Sequence, residues 1–454
     1  MIDYFKHKRS NIEAYFPFLN WFSNYGIRPL QDDALAGLTV AVVLIPQSMA
    51  YAMIAGLPPV YGLYSATVCP LIAAFWGSLK QLSTGPVAIT SLLVLTSLSP
   101  MASPGSESFI SLAFTLSFLV GLFYLVLGFL RLGQLMNFIS HSSVKGFTAA
   151  AAIIIITTQL PNLLGIRIRQ NTSALSSVSE LLSNSTDLNP YSLGIGLCTF
   201  AIIILLKRLN PRLPAGLLAL SIAAICAYVF SLESHGVGIV GSIEGGLPPF
   251  SLPTFTLQSL NRLAGPAIVI ALVSFAETYS IGKAIASQSG QKVSVDQELV
   301  GQGLANFVGS FFHCYPSSGS FSRTALNFTS GAKTGMASVF SSVVVIITLL
   351  FLTPLLTYIP KAALAALVIT AVATLFRPKE LMSLYKKSRH DGIVAVTVFV
   401  MGLLIKPDYA LLLGILLSLF FYLWKTMHPK IISMTKDESL NSFINADVEG
   451  KPVC

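Results

Sequence analysis

From near Leu35 to near Trp424 the chain is an almost unbroken succession of apolar stretches, and no arrangement in water would bury so much of it. A helical membrane span needs roughly 20 apolar residues, and the sequence supplies such runs one after another. Charged residues make up only 10% of the 454, hydrophobic residues 54%, and the mean hydropathy is +0.73. Soluble globular proteins are roughly a quarter charged, so this chain lacks the charge to coat a water-soluble domain of its size. The class is an all-α polytopic membrane protein with the lipid bilayer as its solvent. A net charge of +9 would suit nucleic acid if it were clustered, but the basic residues are spread through the loops, where membrane orientation explains them.

Hydrophobic runs broken by Gly, Pro and charge give about 14 segments, starting near 35, 59, 86, 108, 140, 190, 213, 262, 295, 323, 335, 360, 391 and 408. With both termini cytosolic, most Lys and Arg fall on the inside, and Arg167, Arg169, Arg262, Lys361 and Lys406 remain outside. That bias of roughly four to one agrees with the positive-inside rule and places the chain as a multi-pass protein of the inner or plasma membrane. Residues 1–34, with Lys6, Lys8 and Arg9, read as a cytosolic segment, 35–427 as the transmembrane domain and 428–454 as a cytosolic tail. Neither the five cysteines nor His141, His235, His313 and His390 show metal-ligand spacing, and no cofactor, metal or disulfide is expected.

Two halves of about seven segments start near 35 and 262, and an odd number of spans per half forces the second to be inverted relative to the first. Each half has its short, interrupted segment third: Gln81 to Val94 in the first and Cys314 to Phe328 in the second. Paired interrupted segments in matching positions are the best sequence pointer to a transporter's binding site. In each, a Ser/Thr/Gly/Pro stretch precedes a helical pattern, so a half-helix is predicted to begin at mid-membrane, around Pro86 and around Ser322. Two such N-termini facing each other present unsatisfied N–H groups and partial positive charge, which makes an anion site.

Arg323 stands at the start of the second half-helix, where burial without a partner costs at least about 2.5 kcal/mol. The plainer alternative makes it a loop residue obeying the positive-inside rule. Glu277 falls within the eighth segment, where its protonation would be linked to an anion beside Arg323, a device for proton symport. The alternative is a permanent Glu277–Arg323 ion pair holding two helices together. Gln47 and Tyr51 share a helix face beside Pro46 and line the site or act as interhelical packing. Asp32, Asp33, Asp296, Glu298 and Asp408 read as structural residues at span ends, Ser294 with Gln297 as a capping box, and Gly301, Gly303, Ala305 and Gly309 as a close-packing helix face. No Ser/His/Asp set converges at one depth, which argues against an enzyme.

The stretch Ile45 to Ser65, "IPQSMAYAMIAGLPPVYGLYS", closely resembles the signature of the SulP sulfate permease family, and Gly319 to Phe328, "GSFSRTALNF", resembles its plant sulfate carriers. The resemblance covers nearly the whole chain and implies a UraA-like 7+7 inverted repeat. It implies a core domain (35–131 and 262–355) that moves like an elevator against a gate domain (140–232 and 359–427) in a homodimer. It implies a sulfate site formed by Gln47, Tyr51, Thr84, Gly85, Pro86, Val87, Phe321, Ser322 and Arg323, with Glu277 and Arg323 coupling transport to a proton, or to sodium in its place. Bicarbonate and C4-dicarboxylates are the nearest substitute substrates, and an uncoupled exchanger or channel is the alternative mechanism. Family members commonly carry a cytosolic STAS domain after the last span, and the tail from 428 reads as the start of a linker to one.

Overall fold

The structure is a computed structural model that describes residues 17–134, 140–166, 174–184, 187–210, 213–243, 245–405, 407–427, 434–437 and 442–445. Lys6, Lys8, Arg9, Arg167, Arg169, Lys406 and most of the tail lie outside the described residues. In chain order the helices of the first half are α1 (Ile27–Ile54), α2 (Pro59–Trp76), α3 (Ala88–Leu98), α4 (Glu107–Phe129), α5 (His141–Leu164), α6 (Ala174–Ser183), α7 (Pro190–Leu209) and α8 (Ala215–Val229). Those of the second are α9 (Leu257–Ser289), α10 (Val295–Ser310), α11 (Phe321–Thr329), α12 (Met336–Ile347, continued by a π-turn over Thr348–Leu352 and a last α-turn over Thr353–Leu356), α13 (Lys361–Val372), α14 (Pro378–Lys387), α15 (Arg389–Leu404) and α16 (Pro407–Met427). A helix lies on every segment expected from hydropathy, and among the described residues eight helices are long and apolar enough to cross a membrane. The tail residues that are described form an antiparallel pair, Met434–Asp437 with Ser442–Asn445.

Two helix starts differ from expectation, and for the same reason. α1 begins at Ile27 rather than near Leu35, and α9 at Leu257 rather than near 262, because polar first turns hide a helix from a hydropathy reading. Asp33 in α1 is fully buried and satisfied. It accepts from the Lys333 and Thr334 amides at 2.6 and 3.1 Å, from the Thr334 hydroxyl at 2.6 Å and from the Tyr25 phenol at 2.9 Å, fastening α1 to the turn before α12. Partial burial and the Asp33 carboxylate push the Tyr25 phenol up to about 12. Glu298 serves the same purpose at α10, where its buried Oε1 takes the amides of Ser78 and Leu79, both at 2.6 Å. The expected capping box at Ser294 forms only by half: Ser294 Oγ accepts from the Gln297 amide, while the Gln297 side chain donates to the Trp76 carbonyl at 2.6 Å. The complete box is at Thr256 and Ser259, which opens α9.

Small residues set the closest helix contacts, as their spacing suggests. A Cβ on Gly121 of α4 would strike the Phe307 backbone of α10, and one on Gly303 of α10 would meet Leu125 of α4 at about 3 Å, so only hydrogen at these positions permits the approach. Packing falls into two groups. Helices α1, α2, α4, α9, α10 and α12 lie mostly against one another, as do α5, α7, α8, α13, α15 and α16.

Candidate functional site

Both interrupted segments run extended and then turn helical, and their extended parts pair with each other. Strand β1 (Thr84–Gly85) is antiparallel to β2 (Ser318–Gly319), with Thr84 opposite Gly319 and Gly85 opposite Ser318. This two-residue ladder gives the irregular backbone ahead of α3 and α11 its hydrogen-bond partners. Neighbouring polar groups extend it. The Ser320 amide donates to the Ser83 carbonyl at 2.9 Å, the Ser83 amide to Thr324 Oγ1 at 3.0 Å, and Asn327 Nδ2 to the Gln81 carbonyl at 3.0 Å. Gln302 of α10 donates to Thr84 Oγ1 at 2.8 Å, and Thr278 of α9 accepts from the Gly319 amide at 3.0 Å. Gly85 sits at φ 148°, a conformation that side chains other than hydrogen rarely adopt.

Helix α3 starts one residue after its N-cap Val87, and α11 one residue after Ser320, close to the expected Pro86 and Ser322. The α3 start (Val87, Ala88) and the α11 cap Ser320 are buried, Phe321 and Ser322 are exposed, and both helix starts open onto one cavity of about 620 Å³. Its walls come from both packing groups: Gln47 and Tyr51 of α1, Val87 to Ile89, Glu277 and Ser280 of α9, and Ser320 to Ser322 on one side; His141, Lys145 and Thr148 of α5 and the stretch Ala371 to Leu381 on the other. The charged lining is three cations (Lys145, Lys207, Arg377) against two carboxylates (Glu277, Glu380). The cavity is therefore net positive even with both acids ionised.

Of the ten residues singled out from sequence, Gln47, Tyr51, Val87, Glu277, Phe321 and Ser322 line this cavity. Thr84, Gly85, Pro86 and Arg323 do not; all four are buried away from its surface. Arg323 is completely buried, with Nη1 donating to Gln47 Oε1 at 3.4 Å and with Nε and Nη2 unpartnered. A Cβ on Gly85 would lie 3.4 Å from its Nη2, which puts the guanidinium against the β1–β2 crossing. Arg323 and Glu277 form no ion pair in this structure: the ion pairs among the described residues join Lys145 with Glu380, Lys333 with Asp32, and Arg377 with Glu380. Glu277 Oε2 is buried with no hydrogen-bond partner.

Sequence reading missed Ser320, which caps α11 by accepting from the Arg323 amide and lines the cavity. Its signal was a serine immediately before a helical pattern. Ser280, one turn beyond Glu277, and the rim charges Lys145, Arg377 and Glu380 carried no local signal, because only the fold brings them to the cavity.

The sulfate permease family model matches residues 30–398 of the chain. Probable sulfate transporter 4.2 of Arabidopsis thaliana is 36% identical over 432 residues, covering 92% of this chain and 63% of that protein. High affinity sulfate transporter 1 of Stylosanthes hamata is 33% identical, covering 95% of this chain and 67% of that protein. The chain thus spans about two thirds of the length of these curated relatives. Among solved structures, SLC26A9 superposes with a TM-score of 0.87 at 25% identity, over 98% of this chain and 74% of that one. The transmembrane domain of the cyanobacterial bicarbonate transporter BicA gives 0.75 at 22% identity, over 87% of this chain and 98% of that one, a likeness of fold alone.

Proposed function

Because this chain belongs to the sulfate permease family, a family of membrane anion transporters, we propose that it is a proton-coupled sulfate symporter that works by moving one helix group against the other. The observation that carries this is the meeting of two helix N-termini at the floor of a positively lined cavity. A sulfate resting on the first turns of α3 and α11 would take their free N–H groups and the helix-terminus charge. Tyr51, Ser322 and the amide of Gln47 would supply further donors. The buried guanidinium of Arg323 behind that floor adds a full positive charge in a medium of low dielectric, where its field is strongest.

Glu277 would be the coupling residue. Its carboxylate lines the cavity, lies on the same helix turn as Thr278, which holds β2, and has no cation within ion-pair distance. A carboxylate so placed favours carrying a proton when an anion arrives, since the pair then crosses with less net charge exposed to lipid. The cavity lies between the two packing groups, which supports a core of 35–131 and 262–355 sliding past a gate of 140–232 and 359–427. With the basic loops on the cytosolic side of the cell membrane, the cavity opens inward. A homodimer is proposed on family likeness.

Sulfate uptake into proteoliposomes, with and without an inward proton gradient, tests this reading. Accumulation that follows the gradient and is lost in Glu277→Gln, while exchange of bound sulfate persists, is the expected outcome. Uptake of bicarbonate or a C4-dicarboxylate but not sulfate in the same vesicles would keep the architecture and overturn the substrate. Sulfate conductance without accumulation would favour the uncoupled alternative.

A further inference from the structure

Above the broken helices the cavity carries a second set of charges that the floor does not use. Lys145 of α5, Lys207 at the end of α7 and Arg377 just before α14 line its rim together with His141 and Glu380. Glu380 is held between two of these cations, with Oε1 2.8 Å from Arg377 Nη1 and Oε2 3.1 Å from Lys145 Nζ. The Lys145, Glu380 and Arg377 side chains are 29, 41 and 61% exposed, so water and ions reach all of them. The rim therefore displays an anion already bound, one oxygen on each cation, at the end of a tether. Any free oxyanion with two oxygens at carboxylate spacing fits the same pair of cations.

We propose that the rim is a second, separate oxyanion site, at which Glu380 is a built-in competitor: an arriving sulfate replaces its carboxylate between Lys145 and Arg377 before moving down to α3 and α11. The inference deepens the transport reading above and rests on it for the identity of the anion. Exposed ion pairs are weak, so Glu380 is displaced cheaply and its competition amounts to about a two- to five-fold effect on apparent affinity. Such a site lowers occupancy of the rim at low anion concentration while keeping its cations spaced and oriented for two oxygens.

Acylation of lysine amines in the purified full chain, read by peptide mass spectrometry as sodium sulfate is titrated at fixed ionic strength, tests the site without requiring transport. Sulfate should protect Lys145, with half-protection at about two- to five-fold lower concentration in Glu380→Gln and at higher concentration in Arg377→Gln. No protection of Lys145 in the unmodified protein, or the same half-protection in Glu380→Gln, overturns the proposal. In proteoliposomes the KM of Glu380→Gln should fall by the same factor for sulfate presented on the cavity side and hold for sulfate presented opposite. A shift on both sides would make Glu380 a structural residue. Protection of Lys145 without any uptake would defeat the transport reading and leave the rim site standing, while uptake without protection would do the reverse.

Discussion

The two interrupted segments occupy matching places in the two halves, yet they equip the site differently. The first, β1 with α3, brings neither charge nor a side-chain cap: its N-cap is Val87, and α3 is uncharged. The second, β2 with α11, brings the cap Ser320, the guanidinium of Arg323, and the side chains Thr324 and Asn327, which hold the first segment in place. One half offers bare N–H groups and the other supplies charge and scaffolding. Two segments of like form thus leave room for division of labour, and the sharpest tests are those that push one member of the pair toward the other.

Arg323→Gln strips the charge from the better-equipped helix and should have the largest effect. The Arg323 charge acts on the anion through space at low dielectric, so sulfate affinity is expected to fall about 10-fold or more, measured as KM for uptake. Gly85→Ala and Gly319→Ala break the two strands separately. Gly85, at φ 148°, faces backbone strain of about 1–3 kcal/mol. At Gly319 an added Cβ meets only side-chain atoms of Leu82 and Thr278 at 3.0–3.1 Å, for about 1 kcal/mol. Thermal unfolding in detergent should therefore rank Gly85→Ala well below Gly319→Ala, and the reverse order would refute the assignment of strain to β1.

Exchanging the caps makes a smaller difference. Ser320→Ala should destabilise by about 1 kcal/mol, whereas Val87→Ser gives α3 a cap it lacks, worth about 1 kcal/mol, and gives up the burial of the Val87 side chain, which more than offsets it. Because the new hydroxyl occupies N–H groups that the anion is proposed to use, Val87→Ser should raise the KM for sulfate, whereas Val87→Ala, which loses the same burial without adding a cap, should not. The smallest effect lies at the edge of the fold. Tyr25→Phe loses the bond to Asp33, about 1 kcal/mol or less for a group this exposed. The raised phenol gives stability that is complete below its ordinary value of 10.0 and lost as pH climbs toward about 12. Melting points of the two proteins should converge over that interval.

Much of this was legible in the sequence because it depends on short windows. Apolar runs located the helices, and the Gly/Pro/Ser interruptions at Gln81–Val94 and Cys314–Phe328 marked the crossing. What escaped depends on distant partners. Gln297 satisfies the Trp76 carbonyl rather than closing a capping box, and Arg323 turns behind the cavity toward Gln47 rather than into it. Glu298 looked like an ordinary first-turn acid, and nothing around it in the chain announces Ser78 and Leu79 as its partners.

The β1–β2 ladder also sets a schedule. Thr84 pairs with Gly319, so the backbone of β1 has no strand to pair with until 319 − 84 = 235 further residues have been made. At about 5–20 residues per second, synthesis of that stretch takes on the order of 12 to 47 seconds. Throughout that delay the backbone around Thr84 cannot rest in lipid, where each unpaired polar group costs several kcal/mol, and must stay hydrated or sheltered by the insertion machinery. The proposed anion site is thus incomplete until Gly319 has been made, and a nascent chain halted before it has nothing to close the site.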